Sequence, residues 1–561
     1  MRLYDYAWNT ITSISKRDYD CLRLLLDEDL DYPVLTSEPE GHVIKIPVPR
    51  PLGEGYFELQ GLRFSGSPES WVVLWRLFKA SLYHAALHVA ESNFKMYAPW
   101  AKGKDPKNAV YAVSLVEDLK VTVRAAKLWP GLIGDLAYAN CVAALRCFDP
   151  DAISDRALRA AVKLLLAVWG VTTLTDSKDD RVMVDLVELV KQTVFDSAEV
   201  RNELGSTYLK HAFEKVYGYI SAHGTLSEVP SFPHTESHGI SSVFRGNIRG
   251  RKITRDTLYS AYKALGAIPE VASEERALYE SKELTQGYLE FRQKAEAIRS
   301  KYAEFCADTH LRGVEYPRGD YAAFLRMRSQ LSGPIKTIRD QLLLVKNVPD
   351  ETAGHESGQL DIQAAIQAVA SKSKRNDVFV RDEPVHKAEA WAILVDASKS
   401  IAPRGLEAKG LVTCLAEVTR TLIPQKNLWG VFAFSDTFQI VKDFDEEYSI
   451  DARARIAGVE QRSGTMLPDA LQVVARSLRE KPVDIRIIVV ASDGHPTGYP
   501  GIEEQMVSTV KEINKAGILL LGVGVDEQAI LDYFRVNCTA ETPYQLMKTF
   551  VRSYLELSSM F

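Results

Sequence analysis

The chain has 561 residues, of which 46% are hydrophobic and 25% charged, with a formal net charge of −6. That length supports two or three domains with proper cores, and the mild charge argues against a general nucleic-acid binder. Six scattered cysteines with no Cys-x-x-Cys pair read as reduced thiols, which argues against an extracellular adhesin. Met1 to Tyr6 carries no basic-then-apolar leader. The most apolar helical stretch, Leu164 to Leu174, is bounded by Lys163 and Asp176 and is too short to cross a bilayer, so it reads as a buried helix. The expectation is a cytoplasmic protein with no transmembrane segment.

Residues 1–70 form a small segment with β-strands, in which His42–Ile46 and Tyr56–Phe64 alternate as a hairpin-like sheet would. Residues 71–345 follow a helical pattern. It is interrupted at about 221–251, where Pro230, Pro233, Gly239, Gly246 and Gly250 mark a long loop or joint. His84 and His88 are four apart on the first long helix, with Glu91 three further on, so all three share a face. Such spacing can hold Zn²⁺, but Ala85 stands where a zinc hydrolase would carry its Glu base, and neighbours such as Tyr83 and Leu87 favour a packing role. Whether His84 and His88 bind metal stays open from sequence. His234 and His238, in the Pro/Gly stretch, read as loop residues.

The helices over 273–308 and 321–346 are charge-laced and amphipathic, as solvated faces or partner-docking faces are. Between them Arg318-Gly319-Asp320 spells an integrin-binding tripeptide, but its Tyr316-Pro317 context reads as a turn before a helix. Residues 346–390 read as a hinge and linker, with a polar hinge at 347–357 and a connecting stretch at 371–386.

From 391 to 561 strands and helices alternate. Apolar strands are expected at 391–395, 428–434, 485–492 and 517–525, with helices at about 406–422, 468–479, 502–515 and 544–557. Phe438 to Phe444 reads as an antiparallel edge strand after the Ser435-Asp436-Thr437 turn. This order implies a doubly wound, Rossmann-like α/β fold with a mainly parallel sheet. The fold class is therefore multidomain, with a mainly α-helical N-terminal region, a small β element and a C-terminal α/β domain.

Three oxygen-rich loops lie in that domain. The first strand opens into Asp396-Ala397-Ser398-Lys399-Ser400, Ser463-Gly464-Thr465 turns into a helix, and the strand from Ile485 ends in Asp493-Gly494. Doubly wound sheets gather such loops at the carboxyl ends of their strands, and carboxylates with hydroxyls are the hard ligands Mg²⁺ prefers. The pattern resembles the von Willebrand factor A (VWA) domain and its metal-ion-dependent adhesion site (MIDAS). By that resemblance Ser398, Ser400 and Thr465 would contact Mg²⁺, with Mn²⁺ an alternative, while Asp396 and Asp493 would hold the ion directly or through water. Lys399, Pro403-Arg404-Gly405 and His495-Pro496-Thr497 would surround the metal mouth and face a partner.

Val116-Glu117-Asp118-Leu119-Lys120-Val121 with Leu128-Trp129-Pro130-Gly131-Leu132, Gly358 to Ala365, and Tyr499-Pro500-Gly501-Ile502-Glu503 are similar to the nitric oxide reductase activation protein NorD family, which groups with the CbbO component of a Rubisco-activating system. The resemblance implies a non-enzymatic adaptor that partners a hexameric MoxR-class AAA+ ATPase and holds a client protein by its Asp or Glu at the metal. The client, the stoichiometry with the ATPase and the surface that docks it are not carried by these motifs. Alternatives are the VWA subunit of a metal chelatase and a stand-alone metal-dependent protein-binding module. The chain has no Gly-x-x-x-x-Gly-Lys-Ser/Thr loop of its own, and Asp469, a conceivable base, belongs to a first helical turn where acids are favoured.

Overall fold

A computed structural model describes residues 2–171, 178–199, 203–235, 241–244, 246, 252–268, 272–346, 350–383, 388–399, 405–492, 496–524, 533–539 and 542–558. The chain divides into two compact units, Met1–Lys294 and Ala295–Phe561, with the boundary inside the helix Ala272–Cys306.

The first unit opens with a helix, Leu3–Ser15, and six short strands: β1 (Leu22–Asp27), β2 (Val34–Glu38), β3 (Gly41–Pro47), β4 (Arg50–Gly53), β5 (Tyr56–Leu59) and β6 (Leu62–Ser65). They form two three-stranded sheets, ordered β1-β3-β2 and β4-β5-β6. The expected strands are thus present but split between sheets. β5 and β6 make a tight hairpin because Gln60 and Gly61 both take positive φ, 53° and 70°. The apolar run of β1 fits a buried helix turn as well as a strand, and its pairing with β3 decides the matter.

Helices then dominate this unit: Pro68–Glu91, Pro106–Leu128, Pro130–Arg146, Arg156–Val168, Lys178–Glu199 and Glu203–His223. Their starts are written locally. Ser67, Asp105 and Asp155 each accept a backbone N–H three residues on, with proline in the first turn of two of these helices. The Pro68–Glu91 helix is buried along most of its length by Trp71, Leu74, Trp75, Phe78 and Leu82. The stretch expected as a buried helix, Leu164 to Leu174, is helical and buried as far as Val168, the end of Arg156–Val168, and its residues 172–174 lie outside the described residues.

In the second unit, β7 (Val314–Glu315) precedes two helices, Tyr321–Gln330 and Ser332–Lys346. The Arg318-Gly319-Asp320 tripeptide is the irregular segment leading into the first of these rather than a hydrogen-bonded turn, and buried Asp320 caps the helix by accepting the Ala323 N–H at 3.0 Å. The stretch read as hinge and linker is not structureless. β8 (Asp350–His355), β9 (Gln359–Leu360) and β10 (Phe379–Glu383) form an antiparallel sheet in the order β8-β10-β9, with the helix Ile362–Ala370 between β9 and β10.

The remaining strands are β11 (Glu389–Asp396), β12 (Trp429–Phe434), β13 (Phe438–Lys442), β14 (Ile485–Ser492), β15 (Ile518–Gly524) and β16 (Val536–Thr539). With β7 they build one sheet, ordered β16-β15-β14-β11-β12-β13-β7, in which only β12 and β13 pair antiparallel. β11, β12 and β14 are buried almost throughout, as unbroken apolar strands covered by helices on both faces are. Flanking helices are Gly405–Leu422, Ile450–Gly458, Leu467–Arg479, Ile502–Lys515 and Pro543–Ser558. β13 departs from expectation in one respect: β7 pairs with it in parallel, so it is not an edge strand. Among the described residues, no helix is long and apolar enough to cross a membrane.

Candidate metal centre of the C-terminal unit

β11 is the first long strand of the large sheet, β12 lies on one side of it and β14 on the other. The strand order therefore reverses at β11, and a crevice opens at the carboxyl ends of β11 and β14. Asp396 is the last residue of β11 and Ser492 the last of β14. The Ser492 hydroxyl donates to Asp396 Oδ2 at 2.5 Å, and the Ser398 backbone N–H donates to Asp396 Oδ1 at 2.8 Å. Asp396 and Ser398 are both buried, so the carboxylate is held in one orientation.

The second loop is stitched to the first. Arg462 N–H donates to Ala397 O at 2.9 Å, and Asp436 N–H donates to Ser463 O at 3.1 Å. Gly464 turns the chain with φ +86°, which a glycine takes without strain, and presents Thr465. Thr465 exchanges two backbone hydrogen bonds with Thr497, at 2.9 and 3.1 Å, which fixes the loop after β14 beside it. The structure thus brings together the loops of Asp396, Ser398 and Thr465. Ser400 and Asp493 lie outside the described residues, as do Pro403, Arg404 and His495. Lys399 is exposed.

Contacts that the sequence did not show complete the surroundings. Asp436, in the turn after β12, pairs with Arg312 at 3.1 Å. Asp469 does stand in the first turn of Leu467–Arg479, yet it is fully buried and bound on both oxygens. Its Oδ1 accepts the His310 backbone N–H at 2.9 Å and lies 3.2 Å from His310 Nδ1, while Oδ2 accepts the Tyr499 hydroxyl at 2.6 Å. Burial and the Asp469 carboxylate push the Tyr499 phenol above its ordinary range. A carboxylate so engaged is a structural tie.

In the N-terminal unit, Glu91 does not join His84 and His88 as the helix-face reading expected. It pairs with Arg124, and Asp118 from the neighbouring helix takes the place beside the histidines. His234 is buried with its ring stacked on Phe232, and His238 lies outside the described residues.

Residues 392–551 match the von Willebrand factor type A domain, so this chain contains a VWA domain. Such domains commonly bind a divalent ion through a MIDAS site and serve in protein–protein interaction. Among solved structures, the chain is similar to the PilB minor pilin from Streptococcus sanguinis at 14% identity, over 32% of this chain and 64% of the pilin, with a TM-score of 0.25. It is also similar to the Deinococcus radiodurans RO (RSR) protein at 12% identity, over 86% of this chain and 90% of that one, with a TM-score of 0.22. No curated protein matches.

The donors present suit a hard divalent ion. Asp396, Ser398 and Thr465 offer oxygen alone, from one carboxylate and two hydroxyls, without a thiolate or imidazole among them.

Proposed function

We propose that this chain is a non-enzymatic adaptor that captures a client protein at a Mg²⁺-dependent VWA site and couples it to a MoxR-class AAA+ ATPase. The observation that carries the reading is the convergence of the Asp396 and Thr465 loops at the strand-order reversal, with Asp396 pinned by Ser398 and Ser492. Asp396, Ser398, Ser400, Thr465 and Asp493 would hold Mg²⁺, or Mn²⁺ in its place. When bound, the ion supplies a positive centre for a carboxylate of the client. The chain's own part is to keep its oxygens fixed before the client arrives, since a directional charge-assisted contact is strongest where little must reorganise. The NorD-like segments support the ATPase as partner, and the lack of a phosphate-binding loop in this sequence supports leaving ATP hydrolysis to a separate chain.

Affinity capture from native lysate with Mg²⁺, with chelator, and with Asp396→Ala protein tests the proposal. An AAA+ ATPase recovered in all three, with one further protein recovered only with intact metal and Asp396, is the expected result. Absence of the ATPase throughout, or a client that ignores both chelator and the substitution, overturns it.

A further inference from the structure

The N-terminal unit carries a second convergence of ligand atoms. His84 Nε2 and His88 Nε2 lie 3.0 Å apart, His88 Nε2 lies 3.0 Å from Asp118 Oδ1, and His84 Nε2 lies 3.5 Å from the same oxygen. Zinc-like bonds of about 2.0–2.1 Å set neighbouring ligand atoms about 2.9–3.4 Å apart, close to this triangle. The two histidines come from successive turns of Pro68–Glu91 and the carboxylate from Pro106–Leu128, so two packed helices fix all three.

The hydrogen bonds around His88 assign its tautomer. Lys120 pairs with the Glu117 carboxylate at 3.2 Å, and the Ser92 hydroxyl donates to Glu117 at 3.0 Å. The one Ser92 proton is thereby used, so His88 Nδ1, 2.8 Å away, is the donor to Ser92 Oγ. In the neutral ring Nε2 then bears a lone pair, aimed at a carboxylate oxygen and at a second imidazole nitrogen. His84 Nε2 can donate in one tautomer, but His88 Nε2 and Asp118 Oδ1 are then both acceptors at 3.0 Å, and such a pair needs a proton or a metal ion between them. An Nδ1–H held by a polar partner while Nε2 is left basic is also how ligating histidines are oriented.

The three residues line a cavity of about 570 Å³, walled by apolar side chains such as Val110 and Val113, with Ser81 and His234 adding polar groups. That volume falls in the range of small-molecule sites. The geometry points to a second metal site, in which His84, His88 and Asp118 bind one divalent transition-metal ion with its remaining positions open to the cavity. Two imidazoles and one carboxylate suit Zn²⁺, Fe²⁺, Co²⁺ or Ni²⁺ rather than Mg²⁺. Open positions facing this cavity would take water or a small ligand offering oxygen donors.

The test uses the full chain with Asp396→Ala, which removes the VWA ligand and keeps the two sites distinguishable. Calorimetric titration with Zn²⁺ in excess Mg²⁺ should show one tight site, and saturating Zn²⁺ should raise the melting temperature. Adding Asp118→Asn or His88→Gln should weaken Zn²⁺ binding at least tenfold and abolish the melting shift. The shift in the Asp396→Ala protein reads the site even where a ligand variant folds poorly. No stoichiometric Zn²⁺ binding and no melting shift would mean that a proton on His88, not a metal, joins the cluster. Binding unchanged in both ligand variants would place the zinc elsewhere. Either result overturns the proposal.

Discussion

Lys442 is a fully buried lysine in β13 whose ammonium donates to the carbonyls of Trp429 at 2.7 Å, Asp443 at 3.0 Å and Lys426 at 3.1 Å. Burial nevertheless wins, lowering its pKa from 10.5 to about 8. Between pH 8 and 10.5 the unfolded chain therefore holds a proton that the folded chain has released, so this residue's contribution to stability rises with pH across that window. Below pH 8 its full cost is felt, about 3 kcal/mol. Urea unfolding of the native chain and of Lys442→Met should thus diverge, the native chain gaining up to that amount relative to the variant between pH 7.5 and 10. A constant difference would contradict the buried-charge account. Candidate ligands can be picked out from sequence where they sit in a local string, as Asp396, Ser398 and Thr465 do. Lys442, Asp118 and the His310–Asp469–Tyr499 ties cannot, because each acquires its role from a partner distant in sequence.

At the scale of elements, the helix Ile450–Gly458 meets the segment before Tyr321–Gln330 backbone to backbone. Asp320 N–H donates to Ala454 O at 2.9 Å, and a Cβ built on Gly458 would sit 1.6 Å from the Arg318 carbonyl oxygen. Gly458→Ala cannot be absorbed by a side-chain rotation, and it should cost about 3 kcal/mol or more. Gly333→Ala, in a helix and with open space around its Cβ, should change stability by about 1 kcal/mol at most, and in the stabilising direction. Thermal or denaturant unfolding of the two variants checks the contrast, and equal effects would refute it. The long elements of the large sheet could be read from sequence because their apolar runs are bounded by turns and helix caps. β7 and β16 span two and four residues, too short for any periodicity, and are strands only through pairing with β13 and β15. β8 and β10 were hidden in a polar stretch for the same reason: their pairing is with one another.

For the whole molecule, the sequence carries the VWA domain clearly and the N-terminal unit only as a few strands followed by a succession of helices. The difference is physical. A parallel sheet buried on both faces needs continuous apolar strands and places its loops by topology, whereas helix-on-helix packing leaves open which faces meet. So the approach of the Asp396 and Thr465 loops could be expected from sequence, while that of Asp118 to His84 and His88 could not. The central claim is that Asp396 anchors a divalent ion on which client capture depends. Calorimetric titration of Mg²⁺ into the native chain and into Asp396→Ala protein with an unchanged melting profile tests it most directly. The account predicts one Mg²⁺ per native chain and at least a tenfold loss of affinity in the variant. Equal Mg²⁺ binding by both proteins, or none by the native chain, would contradict it.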